Sequence, residues 1–347
     1  MRKAILLPAS VGIALLLACV LALLAALASA PAASAASFEH GASFAVRCDF
    51  SHRKQVDPVV SPGGTSAHMH DFFGNRSTAA SSTYNTMTAT SVTTTCSRPE
   101  DTGGYWIPTV SWKDKKGLHK LTATRGVFYY RAGAKNHRTV QPFAKDLRII
   151  ADRDVNGAGV RWYCGGGGSN DDKTGSAIPP TRCTVGMLGL RITFPDCVAR
   201  GDLSDPNLEK LDTGQLRDSD TGQVMDPDTG QVVDSPTHRT HMARSKAQTD
   251  GTRACSNPSY PIPVPTLTIT VNFPMPTTSG TVTLSSGDAS SIHTHFWNTW
   301  NQDAALNLNP PNGSSYGGLN ALVKHCINEV PPTSPRPTEC RAPTATA

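Results

Sequence analysis

The sequence predicts a mainly β protein: a sandwich-like arrangement of strands with long loops, stapled by disulfides and closed by one or two short C-terminal helices. Three observations carry this expectation. Short apolar segments alternate with polar or small residues, as in Leu188, Leu190, Ile192, Phe194 and again in Leu267, Ile269, Val271, Phe273, the pattern of a half-buried strand. The 29 glycines and 26 prolines of the chain punctuate these segments and favour turns over long helices. Setting aside Cys19, eight cysteines remain: Cys48, Cys96, Cys164, Cys183, Cys197, Cys255, Cys326 and Cys340. An even number in an exported chain reads as a disulfide framework.

From the N-terminus, Met1-Arg2-Lys3 precedes an apolar run from Ala4 to Leu27 and then Ala28-Ser29-Ala30 and Ala33-Ser34-Ala35-Ala36. That order predicts a secretory signal peptide over residues 1–36, cut near Ala35 or Ala36 because Pro31 disfavours cleavage after Ala30. Left uncut, the run is long enough to anchor the chain, and this is the one membrane contact the sequence offers. Cys19 lies inside the run rather than at its end, which argues against a lipid-modified cysteine. A single β-rich domain is expected over residues 37–330, then a Pro/Thr-rich tail over residues 331–347, loosely ordered apart from Cys340. No two cysteines form a C-x-x-C pair, so thiolate metal sites and thioredoxin-like chemistry find no support. Pairing neighbours in sequence is the simplest of the possible connectivities, with Cys197–Cys255 clamping the base of an insertion.

Further strands are read at 105–112, 126–130, 147–151 and 160–164. Leu319, Leu322, Val323, Cys326 and Ile327 share one helical face, which places His325 on the solvent side. Phe296 and Trp300 are four apart and predict a second helix opening after His295. The insertion over residues 202–235 holds Asp-Thr-Gly-Gln three times, at Asp212, Asp220 and Asp228. Three polar copies make no solenoid. They resemble calcium loops but lack the distal glutamate, as does the segment from Asp152 to Tyr163, so an acidic, turn-rich surface loop is expected.

The net charge of +5 falls when Arg2 and Lys3 leave with the leader. Basic exported proteins associate with anionic polymers, but the lysines and arginines here form no run, so a solvated surface is the expectation and no nucleic-acid partner is implied.

Six of the 11 histidines fall into three close pairs: His68/His70, His238/His241 and His293/His295. On a strand, residues two apart face the same side, so the first and last pairs each present two imidazoles to one point. That is a common way to hold zinc or another divalent metal, with Asp57, Asp71 or Asp234 completing the shell or orienting it. Six histidines exceed one hydrolytic site. The expectation is therefore that His68, His70, His238 and His293 hold a divalent metal, zinc favoured, while Asp71, His241 and His295 manage protons. Asp57, Asn75, Trp297 and Asn298 are the expected substrate contacts. Taken singly, any such pair is more often a hydrogen-bonded turn, and the flanking Phe72, Phe73, Phe296, Trp297 and Trp300 are more often core than a sugar-stacking wall. The expected cleavage near Ala36 leaves His40 several residues in, which argues against a copper site built on an N-terminal histidine. No G-x-S-x-G motif occurs, and Gly165 to Gly168 lacks the lysine of a phosphate loop.

Three motifs occur in order: Val56-Asp57-Pro58-Val59-Val60-Ser61-Pro62-Gly63, Ser66-Ala67-His68-Met69-His70-Asp71-Phe72-Phe73-Gly74-Asn75, and Asp234-Ser235-Pro236-Thr237-His238-Arg239-Thr240-His241-Met242. With Leu284-Ser285-Ser286-Gly287 and His295-Phe296-Trp297-Asn298-Thr299-Trp300 they resemble DUF1996, a secreted family of unknown function found in actinobacteria and filamentous fungi. The similarity runs from about Phe44 to Asn328. It implies an extracellular protein and groups the histidine pairs, but assigns no reaction. The octads look like an insertion peculiar to this chain, and Asp196 stands where a different small residue is expected. The combined reading is a secreted metal-dependent hydrolase acting on extracellular or cell-wall polysaccharide. The alternative is a non-catalytic carbohydrate- or wall-binding module, or a structural envelope protein.

Overall fold

Side-chain alternation along short strands builds two five-stranded antiparallel sheets that share one core. The computed structural model describes residues 42–133, 140–152, 159–165, 178–183, 186–238, 241–249, 252–275, 278–308, 317–331 and 334–342; the expected leader lies outside them. In chain order come β1 (Ser43–Cys48), β2 (Phe50–Lys54), β3 (His70–Gly74), β4 (Gly104–Pro108), β5 (Val110–Asp114), β6 (Gly117–Lys120), β7 (Arg125–Arg131), β8 (Arg148–Asp152), β9 (Val160–Cys164) and β10 (Met187–Thr193). Shorter strands follow: β11 (Cys197–Val198), β12 (Leu208–Lys210), β13 (Leu216–Asp218), β14 (Val224–Met225), β15 (Val232–Asp234), β16 (Met242–Ala243), β17 (Lys246–Ala247), β18 (Arg253–Ala254) and β19 (Ile262–Pro263). Then come β20 (Thr266–Pro274), β21 (Thr281–Leu284) and β22 (His293–Trp297).

The first sheet has the order β1-β7-β20-β10-β9 and the second β2-β3-β4-β22-β8. The chain steps from the first to the second at Asp49, between β1 and β2. One face of each sheet is apolar and buried: Phe44, Val46, Phe128, Ile269 and Leu190 from the first, Phe73, Tyr105, Ile107, Phe296 and Ile149 from the second. Across the interface the Tyr105 and Phe128 rings lie 4.5 Å apart and those of Phe73 and Phe128 6.0 Å apart. Such aromatic pairs contribute about 0.5–1.5 kcal/mol each beyond the area they bury. The mainly β reading is therefore correct. Phe72, Phe73, Phe296, Trp297 and Trp300 are all buried, so these aromatics are core and form no exposed wall.

The cysteines pair as sequence neighbours: Cys48–Cys96, Cys164–Cys183, Cys197–Cys255 and Cys326–Cys340. A C-terminal helix, α2 (Leu319–Leu322), continues as a wider-wound stretch over Val323–Asn328, burying Leu319, Leu322, Val323, Cys326 and Ile327. A single helical turn, α1 (Tyr84–Met87), is capped by Thr83. The helix expected after His295 does not form. His293 to Trp297 is a central strand, and the segment beyond it spends its hydrogen-bonding groups elsewhere: Asn298 N–H donates to Leu147 O and Trp300 Nε1 to the Tyr130 hydroxyl. No helix of the described residues is long and apolar enough to cross a membrane.

The octads are a four-stranded meander, β12-β13-β14-β15, rather than a bare loop. Each Asp-Thr-Gly-Gln closes one hairpin, with Gly214, Gly222 and Gly230 at φ of 86°, 71° and 66°. Only glycine takes that region without strain, which explains its repetition. Asp218 Oδ1 accepts from the Asp220 and Thr221 amides, and Asp226 Oδ1 from those of Asp228 and Thr229, so these carboxylates hold their own turns. Gln215 and Gln231 dock the meander on the main body: Gln215 donates to Lys145 O, and Gln231 donates to Pro142 O and accepts from Ala144 N–H.

Candidate functional site

Register places His70, His293 and His295 on the outward face of the second sheet, and the bend before β3 brings His68 beside them. On β3, His70 and Phe72 point outward while Asp71 and Phe73 point in; on β22, His293, His295 and Trp297 point outward while Thr294 and Phe296 point in. A cross-strand row reads His52, Phe72, Trp106, His295, Ile150 over all five strands. Trp106 stacks on His295 with centroids 4.9 Å apart and planes 11° apart, and on Phe72 at 5.5 Å. Val56 and Val59 from a loop and Met87 from α1 pack on this row.

Next to that row, His68, His70, His293 and His295 meet. Ring centroids lie 4.4 Å apart for His68–His70, 5.0 Å for His68–His293, 5.5 Å for His70–His295 and 5.1 Å for His293–His295. Two backbone carbonyls fix the tautomers. His70 Nδ1 donates to Val56 O at 2.9 Å, and His293 Nδ1 to Ser291 O at 2.8 Å. A carbonyl only accepts, so the Nε2 lone pair of each ring faces the cluster. His70 Nε2 is buried and has no hydrogen-bond partner. His68 Nε2 and His293 Nε2 are 3.2 Å apart. Two imidazole nitrogens bound to one zinc at the tetrahedral angle lie about 3.3–3.4 Å apart, from Zn–N lengths of about 2.0–2.1 Å.

Behind these lies Asp57. Its Oδ1 accepts from the Val59 and Val60 amides, and its Oδ2 stands 3.4 Å from His295 Nε2 and 4.0 Å from His70 Nε2. Two sets of ligand atoms are in mutual reach: His68, His70, His293, and Asp57, His70, His295. These groups can hold a metal, and they share His70. Burial pushes His70 down to about 2, with His295 adding to the shift and Asp57 opposing it; burial also lowers His68, again against Asp57. Both rings are therefore neutral ligands at neutral pH. His68 and His293 are half-buried, whereas His70, His295 and Asp57 are buried, so the cluster opens to solvent on the His68/His293 side.

The other predicted residues stand elsewhere. Strand alternation turns Asp71 to the opposite face, where Arg53 binds it through two bonds of 2.6 and 2.9 Å and the Thr109 hydroxyl donates to it at 2.7 Å. It does not meet the imidazoles. His238 and His241 form a separate polar group. His238 Nδ1 lies 2.5 Å from Asp234 Oδ1, and Arg148 bridges Asp234 and Asp146. Burial raises Asp234, but the His238 bond and the Arg148 charge outweigh it and hold the carboxyl low. Burial lowers His241 to about 4. Among the described residues no metal-sized group includes either histidine. Asn75 ties Met87 O and Thr102 O together, Asn298 ties Phe143 O and Ala144 O, and Trp297 donates to Asp146 under the Arg148 guanidinium. These three hold loops in place.

Sequence reasoning passed over three contributors, Trp106 and the Val56 and Ser291 carbonyls, and one neighbour, Asp152. The last stands directly opposite His293 on the edge strand β8. Trp106 was legible as a strand residue, but its stacking on His295 depends on the register between β4 and β22. Two further metal-sized groups contain disulfide cysteines, Cys48/Cys96 and Cys340, whose sulfurs offer no thiolate.

A family model described as a domain of unknown function, DUF1996, matches residues 57–223. The match takes in Asp57, His68, His70, Asp71 and Asn75 and ends inside the octads, so the pairs 238/241 and 293/295 lie beyond it. No curated protein and no solved structure matches the chain.

Proposed function

Since the chain belongs, through residues 57–223, to the DUF1996 family of unknown function, we propose its role from the histidine site: an exported metal-dependent hydrolase. Its ion is held by His68, His70 and His293, with zinc favoured, and its substrate is an extracellular or cell-wall polysaccharide. One observation carries the metal: three imidazoles converge, and two of them have Nδ1 tied to a carbonyl and Nε2 turned inward. Carbonyl-anchored imidazoles of this kind are the usual supports of a metal centre. A three-histidine set leaves a coordination position for water, and the bound ion supplies Lewis acidity and a water of lowered pKa.

The remaining roles fall to the chain's own groups. His68 and His293 face solvent and set the side from which a polymer approaches. His295, with Nε2 against Asp57 Oδ2, is the group to accept the proton of the attacking water. The buried aromatics leave sugar recognition to polar groups around the opening. Four disulfides and the predicted leader support export.

The test is elemental analysis of the untagged exported chain, residues 37–347, beside a folded His68→Ala/His293→Ala variant. Near-stoichiometric zinc, copper or manganese in the parent and its loss in the variant are expected, followed by metal-dependent release of sugar from wall polymers. A parent that neither carries metal nor takes it up removes this reading.

A further inference from the structure

The two ligand sets of the histidine site meet on one side chain. His68, His70 and His293 form an outer set and Asp57, His70 and His295 an inner one, the ligand atoms of each lying within 4.8 Å of one another. His70 is fully buried; its Nδ1 donates to Val56 O at 2.9 Å, and its Nε2 has no hydrogen-bond partner. A neutral imidazole offers one lone pair. It bridges two ions only by giving up its N–H, and here that N–H is committed to a carbonyl, which accepts and cannot donate.

Asp57 offers no second bridge. Its Oδ1 accepts from the Val59 and Val60 amides at 3.1 and 3.0 Å, which occupies both lone pairs of that oxygen and leaves Oδ2 to bind. The two positions therefore exclude each other, and they differ in two respects. His68 and His293 are half-buried, so an outer ion keeps a side open to water, whereas Asp57, His70 and His295 are all buried and supply three ligands, one fewer than a closed zinc site uses. The outer spacing of 3.2 Å between His68 Nε2 and His293 Nε2 is close to the tetrahedral value, while Asp57 Oδ2 stands 3.4 Å from His295 Nε2 and 4.0 Å from His70 Nε2. On both counts the outer position is the tighter one.

We propose that the site takes one ion at a time in two alternative positions: an open one on His68, His70 and His293, and a buried reserve on Asp57, His70 and His295. This rests on the metal reading above and adds a regulation to it. With the ion inside, His295 and Asp57 are ligands, so neither accepts a proton from a metal-bound water, and all three ligands are closed off from solvent. The buried position is thus silent. Both positions bond the same His70 nitrogen at about 2.0–2.1 Å, so a shift of about 4 Å or less toward His68 and His293 switches the site on.

Zinc uptake by the mature, disulfide-bonded chain tests this, followed by competition with a chromophoric chelator and by equilibrium dialysis. The parent is expected to bind one zinc at the site and no second one there in excess zinc. His68→Ala/His293→Ala should be metal-free as isolated yet take up one zinc at raised concentration, about 100-fold or more weaker than the parent. Adding Asp57→Asn to that variant should abolish the uptake; the amide oxygen still accepts from Val59 and Val60, so the loop is kept. Adding His295→Gln instead serves should the first triple variant not fold, with circular dichroism as the check on folding. The proposal is overturned by a second zinc in the parent that Asp57→Asn removes, by a double variant that takes up no zinc, or by triple variants that bind as the double variant does; each of these leaves the outer site standing. A parent that binds no zinc removes the metal reading and this proposal with it, so the two failures are told apart.

Discussion

Replacing His68 by alanine should separate metal binding from folding. His68 is half-buried, and its ring meets one side-chain nitrogen, His293 Nε2 at 3.2 Å. With no buried partner abandoned, the metal-free variant should keep its stability within about 0.5 kcal/mol. The metal-bound state should respond differently. Changes to groups that merely orient ligands cost about 10–100-fold in affinity, so losing one of three ligands should cost about 100-fold or more. At free zinc of about 100 times the parent Kd, binding stabilises the parent by about 2.7 kcal/mol; a Kd weakened 100-fold leaves about 0.4 kcal/mol. Taking about 2 °C per kcal/mol for a chain of this size, zinc should raise the parent Tm by about 5 °C and that of the variant by about 1 °C. The assay is calorimetry of chelator-treated protein at pH 7.5 with and without buffered zinc. A variant that keeps the full zinc shift, or a parent that shows none, would refute the assignment of His68.

Asp71→Ala should destabilise the fold by about 3 kcal/mol, since it strips Arg53 and Thr109 of a buried partner, while zinc uptake stays at the parent level; the opposite pattern in urea melts and metal analysis would return Asp71 to the site. His241 is held at about 4 by burial, below its ordinary value near 6.5, so between those pH values the unfolded chain takes up a proton that the folded chain does not. The stability this group contributes is complete above about pH 6.5 and is lost as pH falls toward about 4, by about 3 kcal/mol in all. His241→Gln should flatten that window in acid urea melts, and an unchanged slope would show that the burial is not what costs the proton. Because each octad adds one strand and reverses the chain, deleting residues 212–227 should leave a folded protein, whereas deleting residues 212–219 alone should sharply reduce its thermal stability. Equal behaviour of the two deletions would argue against the meander.

The predicted fold class and disulfide pairing were accessible without tertiary structure because they rest on local periodicity and compartment. The alternation at Leu188 to Phe194 and Leu267 to Phe273 names two strands outright, and those strands pair with each other, Leu188 opposite Phe273. Phe296 and Trp300 misled for an equally local reason: a spacing of four also arises where a strand ends in a turn. The octads hid their sheet because their strands are two or three residues long, too short for alternation to register.

The spacing of two puts His293 and His295 on one face of β22 whatever the fold, whereas His68 lies in the bend before β3 and Asp57 in a loop, so only the fold brings them to the same cluster. What the sequence by itself determined is therefore the β class, the disulfide framework and the donors offered by each short motif. Only tertiary structure decided which motifs meet. The 225-residue separation of His68 and His293 is closed by the pairing of β3 with β4 and of β4 with β22; the same alternation turns Asp71 away. Strand period is a local property of the backbone, whereas strand register is a sum over the whole core.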